Sequence, residues 1–239
     1  MAEGHDVQES INAYWNWRGP SYDSRPGHGD RMGTTEHAAW VETVRSLLPP
    51  APADVLDVGT GTGFLAFVAH EVGHRVTGID LAEGMLEVAR ERVAAEGGPT
   101  FGLGDAVAPE FPAASFDAVI SRHVVWTLRD PEEAFRNWLR VLRPGGRFVA
   151  IDAFWFTPSR PSEPSEGDEW RDPWNRHYSA ATRAGLPAMH LTEHAPLLAM
   201  AEAAGFVDIR LDHLTAVQEA EAEQISEEPR YALTGFRPA

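Results

Sequence analysis

Nothing in the chain restricts its fold as tightly as residues 55–72. Val55-Leu56-Asp57-Val58 is a short apolar run of strand character that passes straight into Gly59-Thr60-Gly61-Thr62-Gly63, and an apolar helical stretch from Phe64 to Val72 follows at once. Glycines at such a bend let the backbone adopt positive φ and bring its N–H groups against a ligand at the N-terminus of the helix. A strand, a glycine bend and a helix in that order predict a βαβ unit that binds something polar at the bend.

The same alternation continues downstream. Apolar runs at Asp54 to Val58, Arg75 to Ile79, Thr100 to Leu103, Phe116 to Ser121 and Arg147 to Asp152 read as strands. Between them Phe64 to Val72, Met85 to Ala95 and Glu132 to Leu142 carry the helical period, the last opened by Asp130-Pro131 as cap and first-turn residue. A helix from Glu193 to Ala204 ends at Gly205, and strands from Phe206 to Leu214 and from Arg230 to Phe236 flank an acidic linker. An α/β fold follows, a parallel sheet wound by helices. Ahead of it, Tyr14, Trp15, Trp17 and Tyr22 lie in a turn-rich stretch, and a helix from about Thr34 to Leu48 is stopped by Pro49, Pro50 and Pro52. The rhythm breaks again at Phe154 to Tyr178, rich in Pro, Glu and Trp. The predicted organisation is therefore an N-terminal helical lid or extension over 1–50 and a main domain over 51–239, with a substrate-binding insertion at about 154–190.

A chain of 239 residues is long enough for one such domain and cramped for two. Its 36 acidic residues outnumber 20 basic ones, all of them Arg, for a formal net charge of −16. A polyphosphate backbone is gripped by the opposite sign, so nucleic acid is not an expected partner. Without cysteine there are no disulfides, thiolate nucleophiles or Cys-ligated metals. The polar, acidic start has no apolar core of a signal peptide and no run reaches membrane length, which makes cytoplasm the expected location and a membrane an unexpected partner. A monomer or homodimer is expected.

Two cofactor classes compete for the bend, because Gly61-x-Gly63-x-x-Ala66 also satisfies the permissive dinucleotide fingerprint of NAD-dependent oxidoreductases. Asp57 tips the balance. A carboxylate two residues before the first glycine would face a cofactor's ammonium group and repel a pyrophosphate, and S-adenosylmethionine has the ammonium without the phosphates. Asp80, at the end of the second run, can accept both ribose hydroxyls of either cofactor. Asp105, in Gly102-Leu103-Gly104-Asp105-Ala106, can accept adenine amino hydrogens, or it is a plain turn residue.

Asp57 to Gly63, Asp80 with Leu81-Ala82-Glu83-Gly84-Met85-Leu86, Gly104-Asp105-Ala106, Ser115-Phe116-Asp117, Leu142-Arg143-Pro144-Gly145-Gly146-Arg147 and Ala204-Gly205-Phe206 together resemble the class I methyltransferases of the ubiquinone and menaquinone biosynthesis type. The resemblance runs from about Asp54 to Leu214. It implies a Rossmann-like, seven-stranded, mostly parallel sheet with an antiparallel last strand and helices on both faces. It also implies S-adenosylmethionine as cofactor, S-adenosylhomocysteine as product, and a small-molecule substrate. By position, Gly59, Thr60, Gly61 and Gly63 would pass under the methionine and ribose, Asp80 with Leu81 would hold the ribose, Gly104, Asp105 and Ala106 the adenine, and Met85 would pack on the adenine face. Arg122 joins this cofactor set. Tyr14, Trp15, Arg18 and Tyr22 resemble the family's aromatic lid. With Trp126, Trp155 and Trp174, and Trp170 beside them, they are expected to cage an aromatic or apolar acceptor.

Methyl transfer from a sulfonium is an in-line displacement that needs alignment and exclusion of water. His123, just past the fourth strand, is the candidate catalytic base. No metal is expected, since Arg122 and His123 occupy the place where a metal-assisted enzyme would carry carboxylates. The alternatives are an NAD-dependent oxidoreductase and a binder of S-adenosylmethionine with other chemistry.

Overall fold

Strands with apolar residues on both faces must be covered on both faces, and the computed structural model, which describes residues 2–23, 34–157, 160–161, 171–221 and 229–239, shows how. Helix α1 spans Ala2–Tyr22 and α2 Thr35–Leu47, followed by β1 (Asp54–Val58), α3 (Phe64–Glu71), β2 (Arg75–Asp80), α4 (Glu83–Glu96), β3 (Thr100–Leu103) and β4 (Phe116–Arg122). A single 3-10 turn at Val125–Thr127 leads to α5 (Pro131–Val141) and β5 (Leu142–Asp152). Then come β6 (Phe156–Thr157) paired with β7 (Arg160–Pro161), α6 (Arg171–His177), α7 (Ala180–Ala184), α8 (Ala195–Ala204), β8 (Val207–His213), α9 (Thr215–Glu221) and β9 (Tyr231–Phe236).

The main sheet has seven strands in the order β3-β2-β1-β4-β5-β9-β8, with β9 antiparallel to both neighbours and β1 to β5 mutually parallel. The expected Rossmann-like sheet is thus present. Alternate strand residues feed two cores. Val55, Ala118, Ile120, Val149 and Ile151 pack with α2, α3 and Val217 of α9, whereas Leu56, Val58, Val119, Phe148 and Ala150 pack with Phe135 and Trp138 of α5 and Leu197 of α8.

Three stretches differ from their sequence reading. The turn-rich N-terminal stretch is one helix, because Ile11, Tyr14 and Arg18 recur at helical spacing and are all buried. The acidic linker begins as α9, whose Val217 is fully buried, and residues 222–228 lie outside the described residues. Strand β5 starts at Leu142 rather than Arg147, since Leu142 already pairs with Phe116 before a register shift.

A third cluster fastens α1 to the insertion. Trp174 and Tyr178 stack at 4.0 Å, Tyr14 meets both edge-on, and Ile11, Trp126, Leu186 and Met189 complete the packing. Trp15 Nε1 donates to the Tyr178 hydroxyl at 2.9 Å, and Ser10 Oγ to the His177 carbonyl at 2.7 Å. Trp170 lies outside the described residues.

On its other flank α1 crosses the start of α4 at backbone contact. A Cβ on Gly19 would stand 2.2 Å from the Gly84 carbonyl oxygen, a Cβ on Gly84 2.4 Å from the Asn16 carbonyl oxygen, and the Gly84 N–H donates to Asn16 Oδ1 at 2.8 Å. Only glycine permits this approach. We predict that Gly84→Ala overpacks the crossing at a cost of about 1–3 kcal/mol. Calorimetric unfolding should show a drop of about 2–4 °C per kcal/mol, and an unchanged midpoint would mean that the crossing is not tight.

Candidate active site

The carboxyl ends of β1, β2 and β4 meet at the glycine bend, and hydrogen bonds lock its shape. Thr60 N donates to the Ile79 carbonyl at 2.9 Å, Gly63 N to the Thr60 carbonyl at 2.9 Å, and Thr60 Oγ1 to Asp57 Oδ2 at 2.6 Å. Gly61 N donates to Asp80 Oδ2 at 2.9 Å, so the bend is tied to both acids. Gly61 has φ +57°, and a Cβ there would meet no atom within 4 Å. The space beside it belongs to a cleft.

That cleft has a cavity volume of about 110 Å³ and opens to solvent. Asp57, Gly59, Thr60, Gly61, Asp80, Leu81, Met85, Gly104, Asp105, Ala106, Arg122 and His123 line it, as do Trp15 and Tyr22 from α1. The structure therefore brings together most of the residues singled out from sequence. Gly63 does not line it; its role is steric, for a Cβ would stand 2.7 Å from the Phe101 ring.

Tyr14, Arg18, Trp126, Trp155 and Trp174, expected to cage the acceptor, are likewise not on the cleft wall. Tyr14, Trp126 and Trp174 are core residues of the third cluster, where large rings bury more area against one another than a cleft wall offers. Arg18 Nη1 donates to Ser21 Oγ at 2.7 Å. Trp155 stands behind the wall, its Nε1 donating to Asp152 Oδ1 at 2.6 Å and its ring 4.7 Å from that of His123. No described residue of the 154–190 insertion lines the cleft; its described part braces α1 instead.

The electrostatics separate the two acids. Asp57 is 1% exposed, and burial pushes its carboxyl up to about 7 against the opposing effects of the Thr60 hydroxyl and the Arg122 charge. Its Oδ1 is buried and accepts no hydrogen bond of ordinary geometry, an unusual state for a carboxylate oxygen, although the backbone N–H of Ala66 also acts on the carboxyl. Asp80 is also raised by burial, but N–H groups of Ala82 and Gly61 hold its two oxygens at 2.8 and 2.9 Å. An under-bonded carboxylate oxygen beside an open glycine bend suits a cationic amino-acid tail, and the second acid suits a diol.

Two further arginines beside the site escaped the sequence reading. Arg129 pairs with Asp105 and also donates to Gln8 of α1, closing one end of the cleft by a bridge from helix to loop. Asp105 thus spends much of its accepting capacity on a guanidinium. At the other end Arg230 is hydrogen bonded through Nη1 to His123 Nε2. The Arg122 guanidinium lies 4.0 Å from the Phe64 ring centroid, in cation–π contact. Among the described residues no group of three or more His, Asp or Glu is placed to hold a metal ion, and no helix is long and apolar enough to cross a membrane.

A glycine bend set between a buried acid and a half-buried one, at the carboxyl ends of a sheet of this order, defines a Rossmann-like domain for an adenosyl cofactor. Residues 56–150 match the family described as a methyltransferase domain. The demethylmenaquinone methyltransferase of Listeria monocytogenes is 30% identical over 177 residues, covering 72% of this chain and 70% of that protein. The chain belongs to the class I S-adenosylmethionine-dependent methyltransferase family. The demethylmenaquinone methyltransferase of Thermus thermophilus is 41% identical over 108 residues, 44% of this chain and 49% of that one. The solved S-adenosylmethionine-dependent methyltransferase of Mesorhizobium loti is 25% identical with a TM-score of 0.59, covering 86% of this chain and 99% of that one. The chain spans about half the length of several curated relatives that it matches.

Asp57 also makes a stability prediction. Its carboxyl is raised in the fold, so the folded state holds a proton that the unfolded chain releases near pH 4, and stability falls as pH rises from there to about 7. Asp57→Asn removes that loss. Its thermal midpoint should exceed that of the parent chain by a margin that widens between pH 5 and pH 8, and a margin independent of pH would contradict the assignment.

Proposed function

We propose that the chain transfers the methyl group of S-adenosylmethionine to a small, aromatic or apolar metabolite. The observation that carries the reading is the buried Oδ1 of Asp57, which accepts no hydrogen bond of ordinary geometry, beside the open face of Gly61. An ammonium group supplies the missing partner and draws the carboxyl into its charged form; a pyrophosphate would be repelled. That choice disfavours a nicotinamide dinucleotide, which would share Asp80 but leave Asp57 facing like charge.

In this reading Gly59, Thr60 and Gly61 pass under the methionine and ribose, and Gly63 keeps the bend in shape. Asp57 takes the ammonium and Arg122 the tail carboxylate. Asp80 accepts the ribose hydroxyls with Leu81 beside it, Met85 packs on the adenine, and Gly104, Asp105 and Ala106 meet its edge. When bound, the sulfonium supplies an electrophilic methyl group and a leaving thioether. The chain aligns the acceptor and keeps water out, which are the contributions that a displacement of this kind needs. Trp15 and Tyr22 of α1 form the acceptor-side wall, so α1 serves as lid, braced by the described part of the 154–190 insertion, while α2 covers the sheet. The family relatives carry names of enzymes that act on small metabolites, and a net charge of −16 suits such a substrate better than nucleic acid.

Calorimetry should find binding of S-adenosylhomocysteine and none of NADH. Asp80→Ala removes acceptors for charged hydrogen bonds worth about 1.5–3 kcal/mol each and should weaken the affinity at least tenfold. Incubation of cell extract with methyl-labelled donor, followed by mass spectrometry, should give a labelled small molecule. Binding of NADH in place of S-adenosylhomocysteine would overturn the reading.

A further inference from the structure

Arg129 stands in the short link between the 3-10 turn and α5, and its guanidinium is shared by two walls of the cleft. Its Nη2 donates to Asp105 Oδ2, while Nη1 donates to Asp105 Oδ1 at 3.3 Å and also to Gln8 Oε1 of α1. Gln8, Asn12 and Asp105 line the cleft, whereas Arg129 stands behind them. A guanidinium has donors and no acceptor, so Gln8 must turn its amide oxygen to Arg129. Its Nε2 accordingly donates to Asn12 Oδ1 at 2.8 Å. One cation thus orients a carboxylate on the sheet side of the cleft and an amide on the helix side.

The loop that carries Asp105 is held by other bonds. Trp138 Nε1 donates to the Ala106 carbonyl at 2.8 Å, Asn137 Nδ2 to the Val107 carbonyl at 3.0 Å, and Gly104 N to the Asp80 carbonyl at 3.0 Å. What Arg129 fixes is the side chain, because two planar groups joined by a pair of parallel hydrogen bonds cannot turn independently. Little accepting capacity is then left. A carboxylate offers about two lone pairs on each oxygen. Those of Oδ1 are taken by Val107 N at 2.8 Å and by Arg129 Nη1, and Oδ2 has given one to Arg129 Nη2. A single acceptor position on Oδ2 is open to a ligand, and no donor.

Resting on the reading that Asp105 meets the adenine edge, we propose that Arg129 is a positioning residue for cofactor recognition. It holds Asp105 with its one free lone pair ready for an N–H of the exocyclic amino group of adenine, and through Gln8 it makes the lid helix part of the same contact. A base with oxygen in place of that amino group would set lone pair against lone pair and leave both unsatisfied. The adenosyl group is selected over an inosyl group by an acceptor that cannot turn away.

The test uses the whole chain. Binding of S-adenosylhomocysteine is measured first by calorimetry; its failure would sink the cofactor reading, whereas the later arms bear on Asp105 and Arg129 alone. S-inosylhomocysteine, which carries oxygen where adenine carries the amino group, should bind at least about tenfold more weakly, the loss expected of a hydrogen bond to a charged group. Arg129→Met should bring the ratio of the two affinities close to one. Arg129→Lys, a point donor that cannot span both carboxylate oxygens, should keep part of the discrimination. Should the methionine variant not fold, a ratio in Arg129→Lys equal to that of the parent chain would still overturn the proposal. Gln8→Leu, alone and combined with Arg129→Met, completes a cycle on S-adenosylhomocysteine affinity. Acting through one shared cation, the double variant should bind no more weakly than Arg129→Met does. Losses that multiply, an Arg129→Met ratio equal to that of the parent chain, or equal binding of the two ligands by the parent chain would each overturn the proposal.

Discussion

The site depends on how one peptide bend satisfies two carboxylates at once. Thr60 spends its hydroxyl on Asp57 and its N–H on the end of β2, and the next N–H, that of Gly61, goes to Asp80. The bend thereby fixes the spacing of the acids and the direction of β1 relative to β2. It does so incompletely, leaving one Asp57 oxygen buried without a hydrogen bond of ordinary geometry. A fold assembled for stability alone would not leave a carboxylate in that state, because the desolvation cost of an unpaired charge is large. In the proposed reading the ammonium of the cofactor would offset the unfavourable burial of Asp57.

The second half of the cleft comes from α1, which is held from two sides by different physics. On the α4 side it is backbone against backbone, through glycines that leave no side chain to interlock. On the insertion side it is a cluster of stacked and edge-on rings, with hydrogen bonds from Ser10 and Trp15. The Gln8–Arg129–Asp105 bridge adds a polar tie at one end of the cleft. A wall joined in this manner can stand over the cleft without contributing covalently to the sheet. The insertion then supports the site from behind.

Sheet, strand limits and the acids of the bend were legible in the sequence because each is a local pattern. Alternating apolar residues mark β1, β4 and β5 to within a few positions, and three glycines after Asp57 mark the cleft. Helix α1 was not legible, since its buried stripe is built from Ile11, Tyr14 and Arg18 rather than aliphatic residues at every turn. The aromatic residues were visible as a set but not as a cluster turned away from the cleft. Least legible were Arg129 and Arg230. They meet partners 24 and 107 positions away, and no spacing rule carries information over such separations.

One trait of the site has a chemical corollary. Its cations are guanidinium groups throughout, for the chain has no lysine, and guanidinium does not lose its proton in water at any ordinary pH. The positive side of the cleft is therefore constant from mild acid to strong alkali. Any change in ligand affinity or turnover across the neutral range must be carried by carboxyl or imidazole groups, with Asp57 the foremost of them. A titration curve of this protein consequently reads its acids against a fixed background, a simpler record than a lysine-bearing site would leave.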